Sequence, residues 1–95
     1  MKYAIIGRDG PDGLIKRPIH RPAHLERLTA LANQGRLILA GPFTDQAGSL
    51  VVIEAESLAE AEAFAREDPY MIHGVFQQIE VHPFKQVLPE DTPVQ

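Results

Sequence analysis

Two side chains carry most of the chemical promise of this chain: His24, in the stretch Arg17-Pro-Ile-His-Arg-Pro-Ala-His-Leu-Glu-Arg-Leu28, and Asp68, in Glu67-Asp68-Pro69-Tyr70. An imidazole changes charge near neutral pH, and a carboxylate hydrogen-bonded to one ring nitrogen orients the ring for proton transfer at the other. Each stands at the end of an expected helix, His24 near a start and Asp68 just past a finish. A compact fold could therefore join them as an acid-base dyad. Asp68 would meet the negative end of a helix dipole there, a conflict that a cation such as His24 or an arginine would relieve. The plainer reading is an Asp-Pro turn with Tyr70 in the core.

Arg17, Arg21 and His24 are spaced by four and three, which lines them along one side of a helix that extends back through Pro18. Guanidinium groups so placed could hold the oxygens of an anionic or phenolate-bearing substrate while the imidazole moves a proton. The alternative leaves the arginines solvated and packs His24 at the edge of the Leu25 and Leu28 stripe. His20 and His24 share the i, i+4 spacing of metal ligands, but no His-Glu-x-x-His motif or third ligand accompanies them, so no metal is expected. His73 and His82 read as surface residues near element ends. Ser49, after Gly48, could donate into a pocket or merely close a hairpin, and no Gly-x-Ser-x-Gly elbow marks a serine nucleophile. The loop Gly10 to Gly13 lacks nucleotide-binding spacing and reads as a lid or a turn, so no cofactor is expected.

The elements that must position these groups can be read from periodicity. Tyr3 to Gly7 is a β-forming run ended by Arg8-Asp9-Gly10-Pro11-Asp12-Gly13. About Arg21 to Gln34, an amphipathic helix puts Leu25, Leu28, Leu31 and Ala32 on one face, with Gly35 as its stop. Leu37 to Ala40 suits a central strand, and with Ser49 to Ala55 it makes a hairpin. Ser57 and Glu60 form a capping box that opens a helix burying Leu58, Ala61, Phe64 and Ala65, closed by Pro69. Val75, Gln77, Ile79 and Val81 alternate with Phe76, Gln78, Glu80 and His82 in a last, half-buried strand. The tail after Lys85 reads as extended and partner-bound. The order βαββαβ defines an α+β, ferredoxin-like domain with an antiparallel sheet and both helices on one face. Apolar residues on both sides of the strands leave the second face to be covered by another copy.

The sequence has 95 residues, 44% of them hydrophobic, which is enough for one domain, 1–95. A domain of this size gains core by dimerising. Nine Lys and Arg against thirteen Asp and Glu give a formal charge of -4, which argues against nucleic acid or anionic lipid and favours a small-molecule partner. The absence of cysteine removes disulfides, thiolate nucleophiles and sulfur-ligated metals. Met1 to Ile6 shows neither a signal peptide nor a membrane span, so a cytoplasmic location is the default.

The stretches Arg17 to Leu28, Leu39-Ala40-Gly41-Pro42-Phe43, Gly48-Ser49, Ala61 to Phe64 with Asp68-Pro69-Tyr70, and Val81-His82-Pro83-Phe84 resemble, in this order, the YciI-like (YCII-related) family. The resemblance spans nearly the whole chain. It implies a ferredoxin-like subunit in a dimeric α/β barrel, an architecture that also hosts muconolactone isomerase-like and antibiotic monooxygenase-like enzymes. It places the family's proposed histidine and aspartate pair on His24 and Asp68, with Arg17, Arg21 and the Gly48-Ser49 turn beside the same cavity. His20 and Pro18 are not part of the motif, and no substrate follows, since fold does not fix function.

The leading expectation is a cofactor-independent enzyme of lyase or isomerase type acting on a small cyclic or aromatic compound. His24 would be its general acid or base, oriented by Asp68, with Arg17 and Arg21 on substrate oxygens and Phe43, Tyr70 and Phe76 as apolar walls. Two alternatives stand beside it: a small-molecule binding or sensing module whose same pocket holds a ligand without turnover, and a structural accessory domain with a protein partner and no defined small-molecule site.

Overall fold

A computed structural model describes residues 1–90 of the chain. Strand β1 (Lys2–Asp9) leads into helix α1 (Gly13–Asn33), the hairpin β2 (Leu37–Pro42) and β3 (Gly48–Glu54), helix α2 (Leu58–Arg66), the short helix α3 (Pro69–Ile72), and strand β4 (Phe76–Phe84). The four strands form one sheet in the order β2-β3-β1-β4, with every neighbouring pair antiparallel. This is the α+β, ferredoxin-like arrangement in which each helix crosses from one strand to its parallel mate two places away.

The strand pattern builds one core on one face. Tyr3 and Ile5 of β1 and Val51 and Ile53 of β3 meet Leu28 and Leu31 of α1 and Ala61 and Ala65 of α2. Both long helices therefore lie on the same side of the sheet. The other side carries Ala4, Ile6, Leu39, Leu50 and Val52, bordered by Arg8 paired with Glu80 and Lys2 paired with Glu54.

Several local features differ from the sequence expectation. Helix α1 starts at Gly13, not near Arg21, and runs through Pro18 and Pro22, both exposed. Proline in a helix forfeits a bond to the carbonyl four residues back. Because these two prolines are themselves four residues apart and both exposed, the losses share one solvent-facing side. The helix ends as expected at Gly35 (φ +72°), with Gly35 N–H bonded to Ala32 and Arg36 N–H to Leu31 in a Schellman closure. Its buried face is His24, Leu28 and Leu31, while Leu25 and Ala32 are exposed.

Strand β2 is an edge strand, not a central one, and Leu39 is 50% exposed. Ser57 caps α2 by accepting from Glu60 N–H at 3.1 Å, but Leu58 stays exposed. In β4 the pairing shifts between Arg8↔Gln78 and Asp9↔Phe76, so Gln77 is left out as a bulge. That extra residue reverses the alternation, and Phe76 turns to the helix face beside Ile79 and Val81. There it covers Gly7, where a Cβ would come within 2.4 Å of its ring. The Gly10 to Gly13 segment is a turn, closed by Gly13 N–H to Gly10 O at 3.0 Å. The tail is irregular from Lys85 to Glu90, and its remainder lies outside the described residues.

Candidate functional site

The extension of α1 back to Gly13 puts Arg17, Arg21 and His24 along one side, facing the end of the sheet where β1, β2 and β3 meet. These residues line a cavity of about 300 Å³, which is also walled by Leu14, Leu25, Leu28, Ala40 to Phe43, Val51 and Tyr70. The volume suits a ligand of one small ring.

His24 and Asp68 meet at its inner end. His24 Nδ1 lies 2.8 Å and 2.9 Å from the two carboxylate oxygens of Asp68. The residues are only 6% and 7% exposed. Asp68 follows α2, as expected, but it also opens α3, its Oδ1 accepting the Tyr70 N–H at 2.8 Å. It therefore caps the start of one helix as well as trailing another, and its charge is matched by a backbone donor in addition to the imidazole. A carboxylate accepts only, so Nδ1 carries the hydrogen and Nε2 is the free nitrogen. Among the described residues Nε2 has no protein partner, and no buried side-chain nitrogen or oxygen is left unpaired, so Nε2 opens onto the cavity. The ring also stacks on Tyr70 at 3.9 Å and 8°. Position and tautomer of His24 are thus fixed from two sides.

Arg17 is held as firmly. Its Nε and Nη2 donate to Asp9 Oδ2 and Oδ1 at 2.7 Å and 2.8 Å, and Nη2 also donates to Ser49 Oγ at 3.0 Å. Its guanidinium carbon sits 5.1 Å from the centre of the Tyr70 ring. The Asp9 hydrogen bond raises the Arg17 pKa most; burial, next in size, opposes it, and the charge of Asp9 and then Tyr70 add smaller upward contributions, for a net rise. Asp9 was invisible to motif reading, although it shares the odd-numbered face of β1 with Tyr3 and Ile5. Ser49 is 4% exposed and accepts from Arg17, which leaves its own proton to donate.

The other expected site residues are placed less uniformly. Arg21 and Phe43 are exposed and line the cavity, whereas Tyr70 is buried beneath it. Phe76 is not a wall of this cavity. It lies behind Tyr70, edge to face at 5.4 Å and 87°, because the β4 bulge turns it inward. His20 and His24 do not share a ligand position: His20 stacks on His73 at 4.1 Å and 1°.

The His20–His73 stack joins α1 to the C-cap of α3, one helical turn from the dyad. Desolvation first, then the nearby His73 and Lys16, lower the His20 pKa below 6.5. A depressed folded-state value means that the folded chain protonates less readily than the unfolded one. The stability this group contributes is therefore complete above its ordinary value and is lost as pH falls through the lowered one. His73→Ala should move the His20 midpoint upward in an NMR shift titration, and an unmoved midpoint would show that the stack does not set it.

This geometry defines a class of protein: a ferredoxin-like α+β subunit of the dimeric α/β-barrel class, with a buried His–Asp pair beneath its cavity. The chain belongs to the YCII-related domain family, whose model matches residues 1–85. It is 43% identical to Protein YciI of Escherichia coli O6:H1 over 97 residues, spanning 92% of this chain and 99% of that protein. It is 38% identical to a Haemophilus influenzae protein over the same shares of both chains. Among solved structures it resembles 5-chloro-2-hydroxyhydroquinone dehydrochlorinase (TftG) from Burkholderia phenoliruptrix AC1100, in complex with 2,5-dihydroxybenzoquinone. That likeness has a TM-score of 0.78 at 31% identity, over 90% of this chain and 94% of TftG. Among the described residues no helix is long and apolar enough to cross a membrane.

Proposed function

We propose that this chain is a cofactor-independent enzyme that uses His24 as general acid or base, oriented by Asp68, on a small cyclic or aromatic compound. The observation that carries the reading is the buried pair itself, with Nδ1 committed to Asp68 and Nε2 open to the cavity. In the forward direction Nε2 takes a proton from a ring hydroxyl or ring carbon. The electron pair left behind moves into the ring, and either a leaving group departs with its own pair or a double bond shifts and His24 returns the proton elsewhere. These are elimination and isomerisation, and the dehydrochlorinase activity named for TftG supports the first. Asp68 stabilises the imidazolium formed on the way. Arg17, Arg21 and Ser49 receive substrate oxygens, and Phe43 and Tyr70 contact the ring.

The test is turnover across chlorinated hydroquinones, phenols and lactones, for wild type and His24→Ala. Positioned acid-base catalysis contributes about 10²–10⁴-fold, so His24→Ala should lose that much rate while holding ligand affinity within a few fold. Binding without turnover in the wild type would instead make the site that of a non-catalytic binding module.

We further infer a cytoplasmic, single-domain protein that pairs with a second copy through the sheet face bearing Ala4, Ile6, Leu39 and Leu50, since that face is apolar at its centre and, among the described residues, unmatched by any helix. Sedimentation at micromolar concentration should give twice the mass of one chain, and Ile6→Lys should halve it.

A further inference from the structure

The clamp on Arg17 has a chemical consequence for what the cavity accepts. Nε spends its hydrogen on Asp9, and Nη2 spends its hydrogens on Asp9 and Ser49. The edge that ordinarily grips a carboxylate or phosphate with two parallel hydrogen bonds is already filled by the protein's own carboxylate. Nη1 is the one nitrogen of the group with no hydrogen bond to Asp9 or Ser49. The pair is nearly sealed, its side chains 11% and 9% exposed, so the positive charge of Arg17 is cancelled at short range where solvent screens little. Three features secure the arrangement. Asp9 lies at the register shift, paired with Phe76, its N–H is anchored on Ala47 O at 3.0 Å, and Gly13 leaves room for the carboxylate, since a Cβ there would come within 2.8 Å of Asp9 Oδ2.

We propose that Asp9 is a positioning and specificity-determining residue, which presents Arg17 through Nη1 alone and cancels its charge. The inner cavity then accepts an uncharged ring oxygen, such as a phenol, quinone or lactone oxygen, and rejects ring carboxylates and phosphates. The proposal rests on the reading of the cavity as a small-molecule site. Arg21 does not override it, because its exposed guanidinium at the mouth is screened by water.

The experiment has two readouts, and the first needs no ligand. In nitrogen-edited NMR the Arg17 Nε–H should persist in wild type, protected by Asp9, and vanish into exchange in Asp9→Ala; persistence in the variant would overturn the positioning role. The second is the ratio of affinities for two ring probes of equal substitution pattern, resorcinol, which is uncharged, and isophthalate, a dianion. Wild type should prefer resorcinol. In Asp9→Ala the bidentate edge is freed and carries net charge, so the ratio should move toward isophthalate by about tenfold, the worth of one charge-assisted hydrogen bond. An unchanged ratio would overturn the specificity role. Gly13→Ala should shift the ratio the same way by displacing the Asp9 carboxylate, which keeps the test open if Asp9→Ala folds poorly. Should wild type bind neither probe, the small-molecule reading and the specificity role both fall, and the Arg17 signal alone decides the clamp.

Discussion

Asp68→Ala should destabilise the protein by about 2–4 kcal/mol, far more than a surface change, because one side chain serves two buried donors. The carboxylate takes Nδ1 of His24 and the N–H of Tyr70. Truncation leaves the imidazole nitrogen without an acceptor inside the protein, at about 1–3 kcal/mol, and removes the cap of α3 at about 1 kcal/mol. Asp68→Asn keeps an oxygen for the Tyr70 N–H and should cost about half as much. Urea denaturation of the three proteins separates the contributions, and a loss in Asp68→Ala within about 0.5 kcal/mol of zero would mean that the pair is not formed in solution. Nitrogen shifts of wild-type His24 give an independent check, since the geometry requires the tautomer protonated on Nδ1.

The second large effect is expected at Gly48. Its φ of +154° is combined with a contact that admits no side chain: a Cβ would stand 1.8 Å from the Gly7 carbonyl oxygen and 3.0 Å from Arg8 Cα. Both neighbours are backbone of the adjoining strand, paired with β3 through Arg8↔Gly48 and Gly7↔Ser49. They cannot rotate aside. Gly48→Ala should therefore cost more than about 4 kcal/mol, in the range reserved for severe backbone strain or overpacking. The damage should reach the cavity, because this same close approach brings Ser49 and Asp9 within reach of one guanidinium. Gly41→Ala is the control: nothing lies within 4 Å of its Cβ, and it should be neutral to within about 0.5 kcal/mol. A thermal midpoint for Gly48→Ala equal to that of the control would refute the argument.

The order of the strands and the two long helices, the hairpin, the Ser57 cap of α2 and the Gly35 stop were readable, since each depends on local chemistry that short-range sequence carries, whereas the reciprocal Glu60 bond of a capping box goes to Glu56 N–H instead and α3 was not foreseen. The pairing of His24 with Asp68 was readable as a pattern, and the structure supplies its geometry. What escaped the sequence came from tertiary overrides. Pro18 and Pro22 hid the first half of α1, because proline's penalty is paid toward solvent and packing holds the helix regardless. The stripe was read correctly at Leu28 and Leu31 but not at Leu25 or Ala32, since His24, a polar residue, takes the inward position that periodicity gave to Leu25. Gln77 carries no sign of being a bulge, and without it the alternation put Phe76 on the wrong side of the sheet. Asp9 sat among turn residues, and only β1's register reveals it as the partner of Arg17.

The stacking of Tyr70 against His24 also makes the chain its own optical probe. There is no tryptophan, and of the two tyrosines one lies in the sheet core while the other touches the imidazole and underlies the cavity. Tyrosine emission is quenched by a neighbouring proton acceptor or charged ring, so a change of proton at His24, or a ligand settling over it, registers in half of the intrinsic fluorophores. Occupancy and protonation of the site can thus be followed without a label, with Tyr70→Phe leaving Tyr3 as the constant background.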